Sequence, residues 1–284
     1  MSSRLGLITG ASRGLGAHLA SRFWQAGWSL VLVARDENAL ISSCAAFENR
    51  PSQTLDLVSC DLASNDQIKQ LSFSLKEKYQ SLDLLINNAA IQGPIGPLEK
   101  NDFDDWIGAL QINLLAPILL CKELLPLLNQ GSNASIINLS GGGATGPRPN
   151  FSSYASAKAA LVRFSETLAD ELKPQNIRVN CIAPGAMKTN MLEEVLISSG
   201  YPGERELEIA KKVFSEGGAS MNRVADLALF LSDDVSKGIT GKLVSAVWDN
   251  WEEWPNHIDS LNKSDTYTLR RIAGRDRGFN WGDK

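Results

Sequence analysis

The chain is short of several things that mark other classes of protein. Its four cysteines, Cys44, Cys60, Cys121 and Cys181, have neither the pairing of a disulfide framework nor metal-type spacing, so no metal is expected. There is no surplus of positive charge: 28 Lys and Arg stand against 32 Asp and Glu. That balance leaves no basic footprint for nucleic acid and no attraction to an anionic membrane surface. No apolar run approaches the ~20 residues of a membrane helix. Met1-Ser2-Ser3-Arg4 leads straight into an apolar strand pattern, without the longer apolar stretch of a signal peptide. Internal repeats and low-complexity linkers are missing too. Together these absences predict a cytoplasmic chain in a reducing compartment, its thiols behaving as small buried hydrophobes.

What is present is an ordinary globular composition: 284 residues, 43% hydrophobic and 21% charged, enough for one large domain with a well-buried core. Short apolar runs at 5–9, 29–33, 55–60, 82–86, 135–139, 178–182 and 242–246 alternate with helical spacing, as at 15–24, 67–79 and 106–128. The strand runs are near-continuous, which implies strands covered on both faces. The alternation predicts an α/β fold: a single-domain, doubly wound parallel sheet, Rossmann-like, with helices on both faces and ligands beyond the carboxyl ends of the strands. Pro117 and Pro126 fall inside the longest helical pattern and should kink or divide it. The domain reads as 1–246, followed by an extension at 247–284. The extension carries Trp248, Trp251, Trp254 and Trp281, with Arg270, Arg271, Arg275 and Arg277. Such a tail packs on the domain or a neighbouring subunit, or else it reaches the substrate pocket.

After the first strand comes Thr9-Gly10-Ala11-Ser12-Arg13-Gly14-Leu15-Gly16, then a helix. Glycines here permit a tight turn and let a pyrophosphate approach the free N–H groups at the helix start. The spacing Gly-x-x-x-Gly-x-Gly differs from the commoner dinucleotide fingerprint. Binders of NAD usually end the second strand with an acid that meets the ribose. Here Arg35 stands there, and its guanidinium suits a 2′-phosphate, with Arg13 as a second charge. The expected cofactor is therefore NADP(H). Asp36 is open to an ion pair with Arg35 or to a ribose contact. Asp61, after the third strand, is a candidate for the adenine edge or for a helix cap.

Tyr154 and Lys158 are four residues apart and share one helical face. A free phenol titrates near ~10, and a neighbouring ammonium would favour phenolate and lower that value. Such a tyrosine removes an alcohol proton as hydride leaves, or donates one as hydride arrives.

At this point the sequence resembles the short-chain dehydrogenase/reductase family, from its start to about Ala246. The resemblance rests on the ordered set of the glycine turn, Asn87-Asn88-Ala89-Ala90, Asn113, Ser140, Tyr154-Ala155-Ser156-Ala157-Lys158 and Ile182-Ala183-Pro184-Gly185 through Thr189. It implies that Lys158 also holds the nicotinamide ribose, that Asn113 supports a water-linked proton path, and that Asn88, Pro184 and Gly185 wall the cofactor. It further implies a lid at 186–220, Thr189 near the carboxamide or phosphate, and a homodimer or homotetramer joined through the Tyr154 helix and the final strand. One position departs: the family serine that binds the reacting oxygen would fall at Gly141, and the nearest hydroxyl is Ser140. A lesser one is Ala90, where the family often has glycine. The resemblance implies a small-molecule carbonyl/alcohol substrate, with two alternatives: a catalytically impaired NADP(H)-binding sensor or scaffold, and a sugar-nucleotide epimerase.

Overall fold

The computed structural model describes residues 3–198 and 200–281. Met1, Ser2, Ser199 and residues 282–284, which fall within the expected domain, lid and extension, lie outside the described residues.

Strand and helix alternate as the apolar spacing predicts. The first half comprises β1 (Leu5–Thr9), α1 (Gly14–Gln25), β2 (Ser29–Ala34), α2 (Glu37–Ser43), β3 (Leu55–Ser59), α3 (Asn65–Lys78) and β4 (Leu84–Asn87). Next come α4 (Phe103–Leu110), α5 (Ala116–Leu128), β5 (Ser135–Leu139), α6 (Ser152–Glu171) and β6 (Arg178–Ala183). The chain continues through α7 (Asn190–Ile197), α8 (Glu204–Glu216), α9 (Met221–Ser232), β7 (Leu243–Ser245) and α10 (Ile258–Asn262). The strands form one parallel sheet in the order β3-β2-β1-β4-β5-β6-β7. The winding reverses between β1 and β4, and a crevice opens there at the carboxyl ends.

Every residue of β1, β2 and β5 is buried, which is why these strands read as unbroken apolar runs. Alternate side chains feed two cores. Ile8, Leu32, Leu19 and Phe23 meet α9 residues such as Leu227 on one face, while Leu7, Val33, Ile68 and Leu124 fill the other. Each such side chain, fully buried, contributes about 1.5–3 kcal/mol.

The helical run from 103 to 128 is continuous, so the two prolines do not break it. Between α4 and α5, residues Gln111–Leu115 form a π-turn. Pro117 lacks the N–H that would bond the Asn113 carbonyl four residues earlier, and the wider turn absorbs the defect. Joined in this way, the run is one helix long and apolar enough to cross a membrane, contrary to the expectation from sequence. Here it lies on the sheet with Leu120, Leu124 and Leu128 fully buried.

A buried polar thread fixes α6 beneath the site. The Asn87 amide donates to Asn138 Oδ1 at 2.8 Å, Asn138 Nδ2 donates to Ser165 Oγ at 2.7 Å, and Ser165 donates to the Leu161 carbonyl at 2.7 Å. Buried hydrogen bonds of this kind set register, because breaking one strands a polar group in the core.

The extension wraps the far side of the domain. Trp251 lies on Phe230 with centroids 5.0 Å apart, and Trp254 on Tyr267 at 4.4 Å; Trp248 and Trp281 are exposed. Buried Lys242 donates to the carbonyls of Leu261 (2.8 Å), Thr266 (3.0 Å) and Ser264 (3.3 Å). Leu243 N–H, on the outer edge of β7, donates to the Tyr267 carbonyl at 2.8 Å. Arg270 is held by Asp265 and Asp276. No described residue of the extension lines the crevice, so the alternative of a tail reaching the substrate pocket is not what the fold adopts.

Candidate active site

A cleft of about 440 Å³ lies across the carboxyl ends of β1, β2, β3, β4, β5 and β6. Of the sequence-predicted residues it brings together Gly10, Ser12, Arg13, Gly14, Leu15, Gly16, Arg35, Asp61, Asn88, Ser140, Tyr154, Lys158, Pro184 and Thr189. Asn113 is buried behind the wall, and Gly185, exposed, does not line the cleft. A larger hollow of about 800 Å³, at the other end of α6 beside the extension, contains none of these residues.

The glycine turn is tight for a steric reason. A Cβ added at Gly16 would lie 2.0 Å from the Gly10 carbonyl oxygen, so any side chain there would push the first turn of α1 off the loop. Asn88 locks the turn from β4, its amide donating to the carbonyls of Thr9 (2.9 Å) and Gly10 (3.3 Å). Asp36 is the N-cap of α2, its Oδ1 accepting from Ala39 N–H at 3.0 Å, and it also lines the cleft beside Arg35. Arg35 is exposed at the mouth. The Asp61 carboxylate accepts from Ala63 N–H at 3.0 Å, while Ser64 performs the capping of α3. A cradle that a Cβ would fill, with two arginines at one end, fits a dinucleotide.

At the other end, the first turns of α6 carry Tyr154 and Lys158, both buried. Lys158 Nζ donates to the Leu139 carbonyl at 2.8 Å and stands 5.7 Å from the Tyr154 ring centroid. Burial drives the Lys158 ammonium down to about 8. Burial also pushes the Tyr154 phenol above its ordinary value, and the group pulling it back is Arg148. The ammonium expected beside Tyr154 is in place, though turned to a carbonyl, and burial of the phenol outweighs the lowering that neighbouring cations supply.

The Gly141 departure has a geometric meaning. A Cβ there would lie 2.3 Å from the Tyr154 hydroxyl and 3.1 Å from its Cε1 and Cζ, so Tyr154 occupies the space a serine would need. Ser140, one residue earlier, lines the cleft; its buried Oγ has no hydrogen-bond partner. An orphaned buried hydroxyl beside Tyr154 is suited to an oxygen atom of a ligand. Asn113, in the π-turn, spends both ends of its amide on Ile91, accepting from its N–H (3.0 Å) and donating to its carbonyl (2.8 Å). It braces the cleft wall and its side chain stays outside the cleft.

The expected lid is two helices, α7 and α8. Thr189 caps α7 and lies across the glycine turn, its Cγ2 3.7 Å from where a Gly14 Cβ would sit. Met191, Leu192, Val195 and Leu196 close over Phe151 and Tyr154. Two contacts that sequence reasoning missed tie this segment to the rest of the domain. Gln92 donates to the Met191 carbonyl at 3.1 Å, and Arg148 is ion-paired with Glu206 at 2.7 Å. Each joins residues far apart in the chain, and no local spacing signals them.

Residues 5–198 match the short chain dehydrogenase family, and the chain belongs to it. Members are oxidoreductases acting on CH–OH/C=O with nicotinamide cofactors. Human dehydrogenase/reductase SDR family member 4 is 27% identical over 244 residues, covering 86% of each chain. The 3-oxoacyl-[acyl-carrier-protein] reductase FabG of Thermotoga maritima is 29% identical over 86% of this chain and 96% of its own. Among solved structures, the Pseudomonas aeruginosa RhlG/NADP active-site complex is 27% identical with a TM-score of 0.74, covering 86% and 95%. NAD+-bound xylitol dehydrogenase is 25% identical with a TM-score of 0.75, covering 85% and 96%.

Proposed function

We propose that this chain is an NADP(H)-dependent carbonyl reductase/alcohol dehydrogenase in which Tyr154 is the acid/base. The observation that carries the reading is the placing of Tyr154, Lys158 and the unpartnered Ser140 hydroxyl at one end of a cleft that has Arg13 and Arg35 at the other. The nicotinamide, when bound, supplies or accepts the hydride. Tyr154 gives its proton to the substrate oxygen in reduction and takes it back in oxidation. Ser140 donates a hydrogen bond to that oxygen, and Lys158 holds the ribose hydroxyls. Arg35 and Arg13 would meet the 2′-phosphate, Asp36 serving beside them as the α2 cap and Glu194 interacting with Arg13. Asp61 meets the adenine edge, Asn88 and Asn113 brace the cofactor wall, and the apolar side chains of α7 exclude water. The two solved relatives hold NADP and NAD respectively, so the arginines carry the choice for NADP(H). Cytoplasmic residence, and a homodimer or homotetramer, belong to the same reading.

Purified protein is expected to bind NADPH more tightly than NADH. Tyr154→Phe is expected to remove turnover on a carbonyl panel while keeping NADPH affinity, and full turnover in that variant overturns the assignment. A second reading, a cofactor-binding sensor or scaffold without chemistry, is favoured by Gly141, which removes the family hydroxyl. Tight NADPH binding with no turnover across a broad carbonyl/alcohol panel would select it.

A further inference from the structure

Arg148 sits in the loop between β5 and α6, with its side chain only 11% exposed. The glycine run that admits the Tyr154 hydroxyl also admits this arginine. A Cβ at Gly143 would lie 3.2 Å from Arg148 Cβ and 2.6 Å from Ala155 Cβ, and one at Gly142 would lie 3.6 Å from Arg148 Cδ. The guanidinium stacks on Phe151 at 3.7 Å and stands 5.4 Å from the Tyr154 ring centroid. It is held by Glu206 Oε2, which accepts from Nε (2.9 Å) and Nη2 (2.7 Å), and by Gln92 Oε1, which accepts from Nη1 at 3.3 Å.

We propose that Arg148 is a positioning residue for the proton transfer: it stands against the Tyr154 ring and favours the anionic form of Tyr154, and Glu206 on the lid tempers that charge. The inference rests on Tyr154 being the proton-transfer group.

A positive charge 5–6 Å away across a dry interior favours phenolate, and an ion-pair partner reduces that effect in proportion to its own proximity. The charged groups around Tyr154 are few. Lys158, from α6, is turned to the Leu139 carbonyl. Arg148 comes from the loop before α6, and Glu206, from α8, is seated on Arg148. Glu194, from α7, lines the cleft and interacts with Arg13. The loop after β4 contributes neutral Gln92. Arg148 and Lys158 are the two cations beside the ring, at 5.4 and 5.7 Å from its centroid, and Arg148 is the one tied to the lid through Glu206. Because Glu206 belongs to the lid, the charge Tyr154 experiences depends on how α8 sits.

The test is a pH titration of Tyr154 in protein grown with a difluorotyrosine, whose phenol titrates below that of tyrosine and so within the folded range. Fluorine NMR reads each phenol separately, and Tyr154→Phe identifies the resonance among those of Tyr79, Tyr201 and Tyr267. Arg148→Gln is expected to move the midpoint up by about one pH unit, and Glu206→Gln to move it down by a similar amount. Arg148→Lys, which keeps the charge, should stay within about half a unit of wild type. An unmoved midpoint in Arg148→Gln, or an upward or absent shift in Glu206→Gln, overturns the proposal. If Arg148→Gln does not fold, Glu206→Gln and Arg148→Lys decide alone. Shifts as expected, in a protein that turns over no substrate, would support the Arg148 coupling and count against the oxidoreductase reading separately.

Discussion

Putting a serine at position 141 returns the family hydroxyl to its family place, and in this chain it should reduce activity. The added Cβ would lie 2.3 Å from the Tyr154 hydroxyl, whereas an ordinary carbon–oxygen contact is about 3.4 Å. The hydroxyl must therefore retreat by about 1 Å, and the ring has little room to follow, since Phe151, Leu192 and Val195 close on it. A misplacement of ~1 Å in a reacting group costs about 10²-fold in rate, equivalent to about 2.7 kcal/mol of barrier. The assay is steady-state NADPH oxidation on a carbonyl that wild type reduces, with NADPH affinity and thermal stability measured beside it. Expected is a kcat/KM about 10² lower with affinity within about twofold, because Gly141 does not line the cleft. Gly141→Ala should do the same, isolating the Cβ from the hydroxyl. Wild-type or faster turnover in Gly141→Ser, with Gly141→Ala unimpaired, would refute the steric reasoning and show that Tyr154 moves freely.

Ser140→Ala should lower turnover by ~10²–10³ with NADPH affinity unchanged, since it removes one donor to the reacting oxygen; an active variant would put that donor elsewhere. Arg35→Ala should weaken NADPH at least about tenfold, or about 1.4 kcal/mol, and leave NADH alone, read by fluorescence titration. Burial holds the Cys121 thiol up to about 12, while an unfolded thiol titrates near ~8.5. Between those values the unfolded chain releases a proton that the folded one keeps, so stability falls with rising pH by about 1.4 kcal/mol per unit for this group. Denaturant titrations across that window should show a shallower decline in Cys121→Ala; an identical slope would refute the burial argument.

The fold could be read from the sequence because burial on both faces leaves little choice of residue. All seven strands, and the glycine turn after the first, lie where continuous apolar runs and glycine spacing put them. Asp36 was legible in part, as an acid just before a helix, but its use as the α2 cap shows only in the bond it accepts from Ala39 N–H. The neighbourhood of Tyr154 was the least legible. Its charged surroundings include Arg148, paired with Glu206 from a distant helix, and its clearance comes from a glycine whose meaning lies in what stands opposite. The Asn87–Asn138–Ser165 thread is equally silent in sequence, since each residue alone passes for a strand or helix residue with a tolerated polar group. Pro117 did carry a signal, but widening the helix was available as well as breaking it.

The bond from Leu243 to Tyr267 bears on how copies of this chain meet. A last strand with open N–H and carbonyl groups is a template that a second strand can extend, whether a twin subunit or a misfolded neighbour. Here Tyr267 takes the outward N–H of Leu243, in a segment that Lys242 anchors from within. Two subunits aligned strand to strand would first have to displace this segment and leave a buried ammonium without its three carbonyls. Assembly through the last strand is thus in direct competition with the chain's own tail, and shortening the tail is a change that could alter the number of subunits without touching the cleft.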